Sequence, residues 1–318
     1  MNWLDPRQLI AFKSLLKTGS FTTAARSLHL TQSAISHSIK ALEKELGCEL
    51  FHRVNKKIQL TAAGEALFDN IEPIFSSMER ARQAVMDVSS WGRGRVRVGG
   101  STTCCQYILP NVLREFRACF PECQISIEPG NSPKALDDLI RNETDLALVL
   151  EPDHDDMCTF RPMFEDSLAF VVAPSHPLAL RKSISLSDLE DHTFVIFNKN
   201  TTTYRMVMKF FGNHGIHPKN TLELGSVEAI KELVKIGYGF SLLAPWTFHE
   251  ELDRGMLTCI HPEKFAIHRR WGIATVKGRK LSLMEETFTG LCLTVAENFQ
   301  DTHISLGEAG LAEAKKPV

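Results

Sequence analysis

Residues 19–47, GSFTTAARSLHLTQSAISHSIKALEKELG, hold two short amphipathic helices around a tight turn, and this pair constrains the chain more than any other feature. Phe21, Ala24, Ala25 and Leu28 recur at i, i+3, i+4 and i+7 as one apolar stripe, with Ser20 placed to cap its start. A second stripe, Ile35, Ile39, Leu42 and Leu46, is entered through Thr31 and left through Gly47, which tolerates the left-handed turn that ends helices. The other face of this second helix carries Gln32, Ser33, Ser36, His37 and Lys40. All are short or hydrogen-bonding, so nothing bulky and apolar keeps that face out of a DNA groove.

Periodicity alone also fits a helical hairpin inside a globular core, but charge favours the helix-turn-helix reading. Residues 1–62 hold nine Lys and Arg against four Asp and Glu, a net of +5 in a chain of total −2, so the remainder carries −7. That asymmetry suits a phosphate-binding module joined to a domain with another task. Just after the second helix, residues 49–53 and 57–61 are short alternating stretches around Val54-Asn55-Lys56. They read as a two-stranded wing with a basic tip, on which Arg53, Lys56 and Lys57 would meet phosphates; the alternative is a solvated surface hairpin.

Gln8-Leu9, Phe12, Gly19-Ser20-Phe21, Ala24-Ala25, Leu28, Thr31 through Ser36, Ile39-Lys40, Leu42-Glu43, Leu46-Gly47, Leu50 through Arg53 and Leu60 through Gly64 stand in one order and spacing. In this the segment resembles the N-terminal module of LysR-type transcriptional regulators. One departure is His37, where that family more often has arginine; a histidine can still donate to a phosphate or base, with a charge that depends on pH. The resemblance implies an all-α winged helix-turn-helix with a linker helix, then an α/β two-lobed, periplasmic-binding-protein-like effector domain.

A length of 318 residues suits two or three domains, and 43% hydrophobic content fits a globular protein. There is no secretory signal and no apolar run near the roughly 18 residues of a membrane span, so the expected location is cytoplasmic. Eight cysteines without an export signal read as free thiols. Cys119 and Cys123 lack a second pair for zinc, so neither a metal nor a cofactor is expected. The vicinal Cys104-Cys105 keeps a thiol-based redox sensor open as an alternative.

From Leu67 the apolar residues step by four and three through Ile71, Ile74, Met78, Ala81, Val85 and Val88, a heptad seam for pairing with a second copy. Packing of this helix onto its own domain is the competing reading, and Pro73 removes one helical hydrogen bond within it. Dimerisation would present two recognition helices to two half-sites one turn of DNA apart. Ser89 to Gly94 reads as a hinge.

Beyond the hinge, strand-like segments at Val96–Gly99, Ile125–Glu128 and Asp145–Leu150 alternate with helices expected over Tyr107–Phe116 and Pro133–Arg141, the pattern of a parallel sheet. A second set follows: strands at Leu168–Ala173, Thr193–Phe197, Thr221–Leu224 and Phe240–Leu243, with helices after Thr203 and over Val227–Ile236. A strand at Trp271–Val276 and a helix over Ser282–Phe299 would return to the first lobe. The stretch GSVEAIKELVKIGYGFSLLAPW is similar to the effector domain of the same family.

Ser101-Thr102-Thr103 follows the first strand and opens a helix, where hydroxyls and free N–H groups suit an anion. Residues 198–203, NKNTTT, repeat the arrangement in the second lobe, with Asn200, Thr201, Thr202 and Thr203 as candidates. The family resemblance adds Asn131 and Leu150 to the pocket. The competing reading is that these groups only cap helices. A small carboxylate or sulfur-containing anion is the expected ligand.

Twelve histidines are scattered, and no GxSxG, Walker or HExxH motif is present, so no catalysis is expected. A two-lobed solute-binding protein is the other alternative, against which the basic first 62 residues argue. The expected division is residues 1–62 for DNA binding, 63–90 for the linker helix, 91–300 for effector binding and 301–318 as a mobile tail. Within the effector domain, lobe I takes 94–162 and 267–300 and lobe II takes 163–266. The resulting reading is a homodimeric or homotetrameric regulator acting on a dyad-symmetric promoter site and RNA polymerase, with a small-molecule effector in the interlobe cleft.

Overall fold

The computed structural model describes residues 4–54, 57–89, 94–153, 156–262 and 265–297, some helix and strand residues by their backbone alone. Two compact units result, Met1–Arg82 and Gln83–Val318. The wing tip at Asn55 and Lys56, the hinge residues 90–93 and the tail 301–318 lie outside the described residues. Among the described residues no helix is long and apolar enough to cross a membrane.

The first unit begins with a helix that the pattern reading did not delimit, α1 (Pro6–Thr18), capped by Asp5 and ended by Gly19 at φ 64°. Next come α2 (Phe21–Ser27) and α3 (Gln32–Leu46). Ser20 and Thr31 cap them as expected, the Thr31 hydroxyl accepting from Ala34 N at 3.2 Å, and Gly47 ends α3 at φ 73°. Leu9, Phe12 and Leu15 of α1 close over Ala24, Ala25, Ile35, Ile39 and Leu42 in one core. The second stripe is one residue shorter than expected: Leu46, in the last turn, is exposed.

Strands β1 (Phe51–Val54) and β2 (Lys57–Leu60) pair antiparallel with Phe51 opposite Leu60, as a wing requires. The chain then turns into α4 (Ala62–Ser89), 28 residues that include Pro73. The turn is tight enough that a β-carbon on Gly64 would stand 2.2 Å from the Leu50 carbonyl oxygen.

The seam on α4 divides in two. Ile71 is 0% exposed and, with partly buried Leu67, packs against the core of its own unit, so those two are not free for a second copy. Ile74 (37%), Met78 (46%) and Val85 (74%) are exposed, as is Ala81; Val88 is described by its backbone only. The reason is local: α4 leaves the wing directly beneath α1, and Lys13 of α1 pairs with Glu72 at 2.6 Å.

In the second unit the order is β3 (Arg95–Ser101), α5 (Thr102–Tyr107), α6 (Leu109–Cys119), β4 (Gln124–Gly130), α7 (Ser132–Ile140), β5 (Leu146–Leu150) and β6 (Cys158–Ser167). Then follow β7 (Ala169–Val172), β8 (Thr193–Phe197), α8 (Thr202–Asn213), β9 (Asn220–Leu224), α9 (Val227–Lys235), β10 (Ser241–Leu243) and α10 (His249–Asp253). The last elements are β11 (Thr258–Ile260), β12 (His268–Val276) and a helix α11 over residues 283–297.

Lobe I is a five-stranded sheet, β4-β3-β5-β12-β6, parallel through β4, β3 and β5. The returning strand β12 is antiparallel to both β5 and β6, so the sheet is mixed where an all-parallel one was expected. Lobe II holds the antiparallel trio β10-β7-β11 and the parallel pair β8-β9, joined by a bridge between Phe194 and Phe240. One apolar cluster runs through both lobes, from Val96 and Phe116 to Phe194 and Trp246.

Three expectations need correction here. The helix over Tyr107–Phe116 is two helices, because Pro110 has no N–H to continue α5 and instead sits in the first turn of α6. Strand β6 was missed; it pairs with β12 from Cys158 to Ser167, and the expected lobe boundary at 162/163 falls within it. Three-residue β11 was also missed.

Because Ile71 is core to the first unit, Ile71→Ala should cost about 3 kcal/mol of that unit's stability. Denaturant unfolding of the full chain followed by far-UV circular dichroism checks this.

Candidate effector cleft and DNA-contacting helix

On α3 the buried residues Ile35, Ile39 and Leu42 face the core. The opposite face shows exposed Thr31, Gln32, Ser33, His37 and Lys40 with half-buried Ser36 among them. Thr31 and Ser33 share a hydrogen bond of 3.0 Å at the start of the helix, where the unsatisfied N–H groups also lie. Ser20 caps α2, its hydroxyl oxygen accepting from Thr23 N. In the wing the backbone sets Arg53 opposite Ile58 and Lys57 opposite Val54; the side chains of Arg53 and Lys57 and all of Lys56 lie outside the described residues.

In the second unit, four helices from the two lobes start at one cleft, which encloses about 50 Å³. Their N-cap residues are Ser101 (α5), Asn131 (α7), Thr201 (α8) and Ser226 (α9), and all four line it. Each cap accepts a backbone N–H of its own helix: Cys104 N to Ser101 Oγ at 3.1 Å, Lys134 N to Asn131 Oδ1 at 2.9 Å, Tyr204 N to Thr201 Oγ1 at 3.1 Å and Ala229 N to Ser226 Oγ at 3.2 Å. Capping and lining are therefore done by the same residues. The first-turn N–H groups beyond each cap have no intrahelical acceptor, and the positive ends of the helix dipoles meet in the same space.

Of the candidates named from sequence, Ser101, Thr102, Thr103, Asn131, Leu150, Thr201, Thr202 and Thr203 all line this cleft. Asn200 does not: it is exposed, and its N–H turns back to Asn198 Oδ1 at 3.2 Å. Thr102 donates to the Gly130 carbonyl at 3.0 Å, and Ser132 Oγ accepts from Leu150 N at 3.1 Å, which fixes the lobe I wall.

Sequence reasoning missed Ser132, Ser226, Thr247, Phe197, Trp271 and above all Arg269. Arg269 is buried; its Nε donates to Asp166 Oδ1 at 2.7 Å, its Nη2 pairs with the other carboxylate oxygen, and its Nη1 donates to Thr203 Oγ1 at 2.9 Å. Its guanidinium lies 5.3 Å from the Trp271 ring. The signal was available: Arg269 and Trp271 share one face of β12, and a lone cation on a tryptophan-bearing face is anomalous for a buried strand.

Behind the cleft, Cys104 is fully buried, and that burial pushes its thiol up to about 12 against the pull of Ser101. Burial likewise pushes Cys105 up to about 11.

A helix-turn-helix with a wing, followed by two α/β lobes around a polar cleft, defines a ligand-responsive DNA-binding regulator. Family models for the bacterial regulatory helix-turn-helix protein of the lysR family and for the LysR substrate binding domain match residues 6–65 and 92–297. The chain belongs to the LysR family of transcriptional regulators, whose members bind DNA and small-molecule effectors.

It is 32% identical over 281 residues to the HTH-type transcriptional activator CmpR of Synechocystis sp., across 88% of this chain and 92% of CmpR. The structure of the Synechocystis PCC6803 CcmR regulatory domain in complex with 2-PG matches at 32% identity and a TM-score of 0.59, covering 65% of this chain and 99% of that one. Full-length CbnR, crystallised with its target DNA, shares the fold at 19% identity and a TM-score of 0.64, over 91% of this chain and 99% of CbnR.

With both thiols raised, little thiolate exists at neutral pH. Alkylation of Cys104 and Cys105 by iodoacetamide should be slow at pH 7 and rise about tenfold per pH unit up to pH 10. Peptide mass spectrometry checks this; fast, pH-independent modification at pH 7 would contradict the burial argument.

Proposed function

We propose that this regulator answers to a small anion carrying a phosphate or carboxylate, held between the lobes. The observation that carries the reading is the meeting of four capped helix N-termini and the Arg269 guanidinium in one cleft. Asp166 and Thr203 take three of the five guanidinium N–H groups, and two have no hydrogen-bond acceptor among the described residues. The 2-PG bound by the CcmR domain, 2-phosphoglycolate, is of this chemical class. Leu150, Phe197 and Trp271 close the cleft with apolar surface and limit the ligand's size.

The protein would act in the cytoplasm as a homodimer or homotetramer and carry no catalytic activity or cofactor. Paired α4 helices would use Ile74, Met78, Ala81, Val85 and Val88. Gln32, Ser33, Ser36, His37 and Lys40 would read base edges in the major groove, while Thr31, Ser20 and the wing residues Arg53, Lys56 and Lys57 would hold phosphates. Lobe closure on the effector would change the spacing of the DNA-binding pairs and the bend of a dyad-symmetric promoter, and so the recruitment of RNA polymerase.

Two measurements test these roles. Gln32→Ala with Ser36→Ala should weaken binding to the upstream intergenic DNA by about 1–3 kcal/mol while leaving an unrelated fragment bound as before. Lys56→Ala with Lys57→Ala should weaken both. Equal losses on all DNA from both pairs would refute the assignment. For the cleft, Thr102→Ala with Thr202→Ala should abolish the response to 2-phosphoglycolate by titration calorimetry and leave DNA binding intact; loss of DNA binding would mean that the pair serves folding.

A further inference from the structure

We propose that Tyr107 is a positioning residue that sets how far the two lobes close on the effector, by locking the α5 side of the cleft to the α9 side. The proposal rests on the reading of the cleft as the effector site. Tyr107 is the last residue of α5, in lobe I, the helix that opens with the cleft residues Thr102 and Thr103. Its hydroxyl donates to the carboxylate of Glu228, in the first turn of α9 in lobe II, directly beside the cleft residues Ser226 and Val227. The same oxygen lies 3.0 Å from the carbonyl of Thr247, another cleft residue of lobe II.

The receiving side is rigid. Lys231, only 4% exposed, sits 2.9 Å from Glu228, 2.9 Å from Glu251 of α10 and 3.0 Å from the Thr247 carbonyl. Its ammonium also stands over the Tyr107 ring at 5.5 Å, and the Trp246 ring meets that ring edge-on with centroids 5.6 Å apart.

Two carboxylates against one ammonium leave this socket with surplus acceptors, and the matching donor, the phenol, comes from the other lobe. Burial raises the phenol's affinity for its proton, and the Glu228 bond adds to that, so the hydroxyl stays a donor throughout the physiological range. A hydroxyl shared across a cleft edge fixes the separation of two of the four helix ends that would hold the anion. The strut therefore works on closure, while the ligand touches other residues.

Tyr107→Phe keeps the ring and its packing and removes the hydroxyl alone, with its donation to Glu228 and its bond from the Lys231 ammonium. Glu228→Gln keeps an acceptor for the hydroxyl, and Lys231 retains Glu251. In the full-length protein, Tyr107→Phe should weaken 2-phosphoglycolate binding about tenfold, the equivalent of one hydrogen bond to a charged group. It should also speed amide exchange in the first turns of α5 and α9 in the ligand-free protein. Glu228→Gln should stay within about threefold of wild type on affinity and match its exchange. Wild-type exchange and affinity in Tyr107→Phe would overturn the proposal. So would equal losses in both variants together with a lowered thermal midpoint, which would mark a general packing role. Should the wild-type protein not bind 2-phosphoglycolate, the effector reading fails while the exchange comparison still decides on the strut.

Discussion

A carboxylate that water barely reaches must be fully hydrogen-bonded, and Asp166 meets this with two bonds from Arg269 and one each from the indole N–H groups of Trp246 and Trp271, at 2.8 and 2.9 Å. These donors come from β12 and from the segment after β10, while Asp166 sits near the end of β6, one of the crossovers between lobes. The knot thus pins together the end of one crossing strand, the start of the other and a piece of lobe II. Removing either charge would strand the other in a low-dielectric interior. The guanidinium so fixed is tied to Thr203 as well, so the charged corner of the cleft is built before any ligand arrives. The helix ends around it and the Tyr107 contact across the opposite edge all take their places relative to this point.

How much of this could be read from the sequence depended on whether the signal was local. Ser20, Thr31 and Gly47 act within one turn of themselves, and each performs the helix start or stop expected of it. Ser101 to Thr103 and Thr201 to Thr203 were placed in the cleft for the same reason: a hydroxyl run between strand and helix has few other uses. Asn200, one residue earlier, bonds back into its own turn, a difference too small for pattern to resolve. Arg269 and Asp166 are 103 residues apart and become partners only through the antiparallel registry of β6 and β12. β6 itself was hidden because CTFRPMFEDS, with a proline inside, alternates too poorly to announce a strand.

The heptad seam shows another limit. A period of seven says that one face of α4 is apolar but not what covers it. Leu67, Ile71 and, off the seam, Phe75 are claimed by the helix-turn-helix core, and Ile74, Met78 and Val85 are not. Along the seam the change falls at Pro73, beside the Lys13–Glu72 pair, so seam positions that are core to their own unit and seam positions that stand open are adjacent in sequence yet distinct in task.

Since Asp166 cancels the charge of Arg269, the cleft offers a ligand fixed dipoles and hydrogen bonds and little net charge. Dipoles at such close range are poorly shielded by mobile ions, whereas contacts to DNA phosphates gain much of their strength from counterions released into bulk. The two binding activities in one chain would therefore diverge as cellular ionic strength changes. Operator occupancy would fall steeply as salt rises, while effector binding would stay nearly constant, so high salt would separate the regulator from its promoter without emptying its cleft.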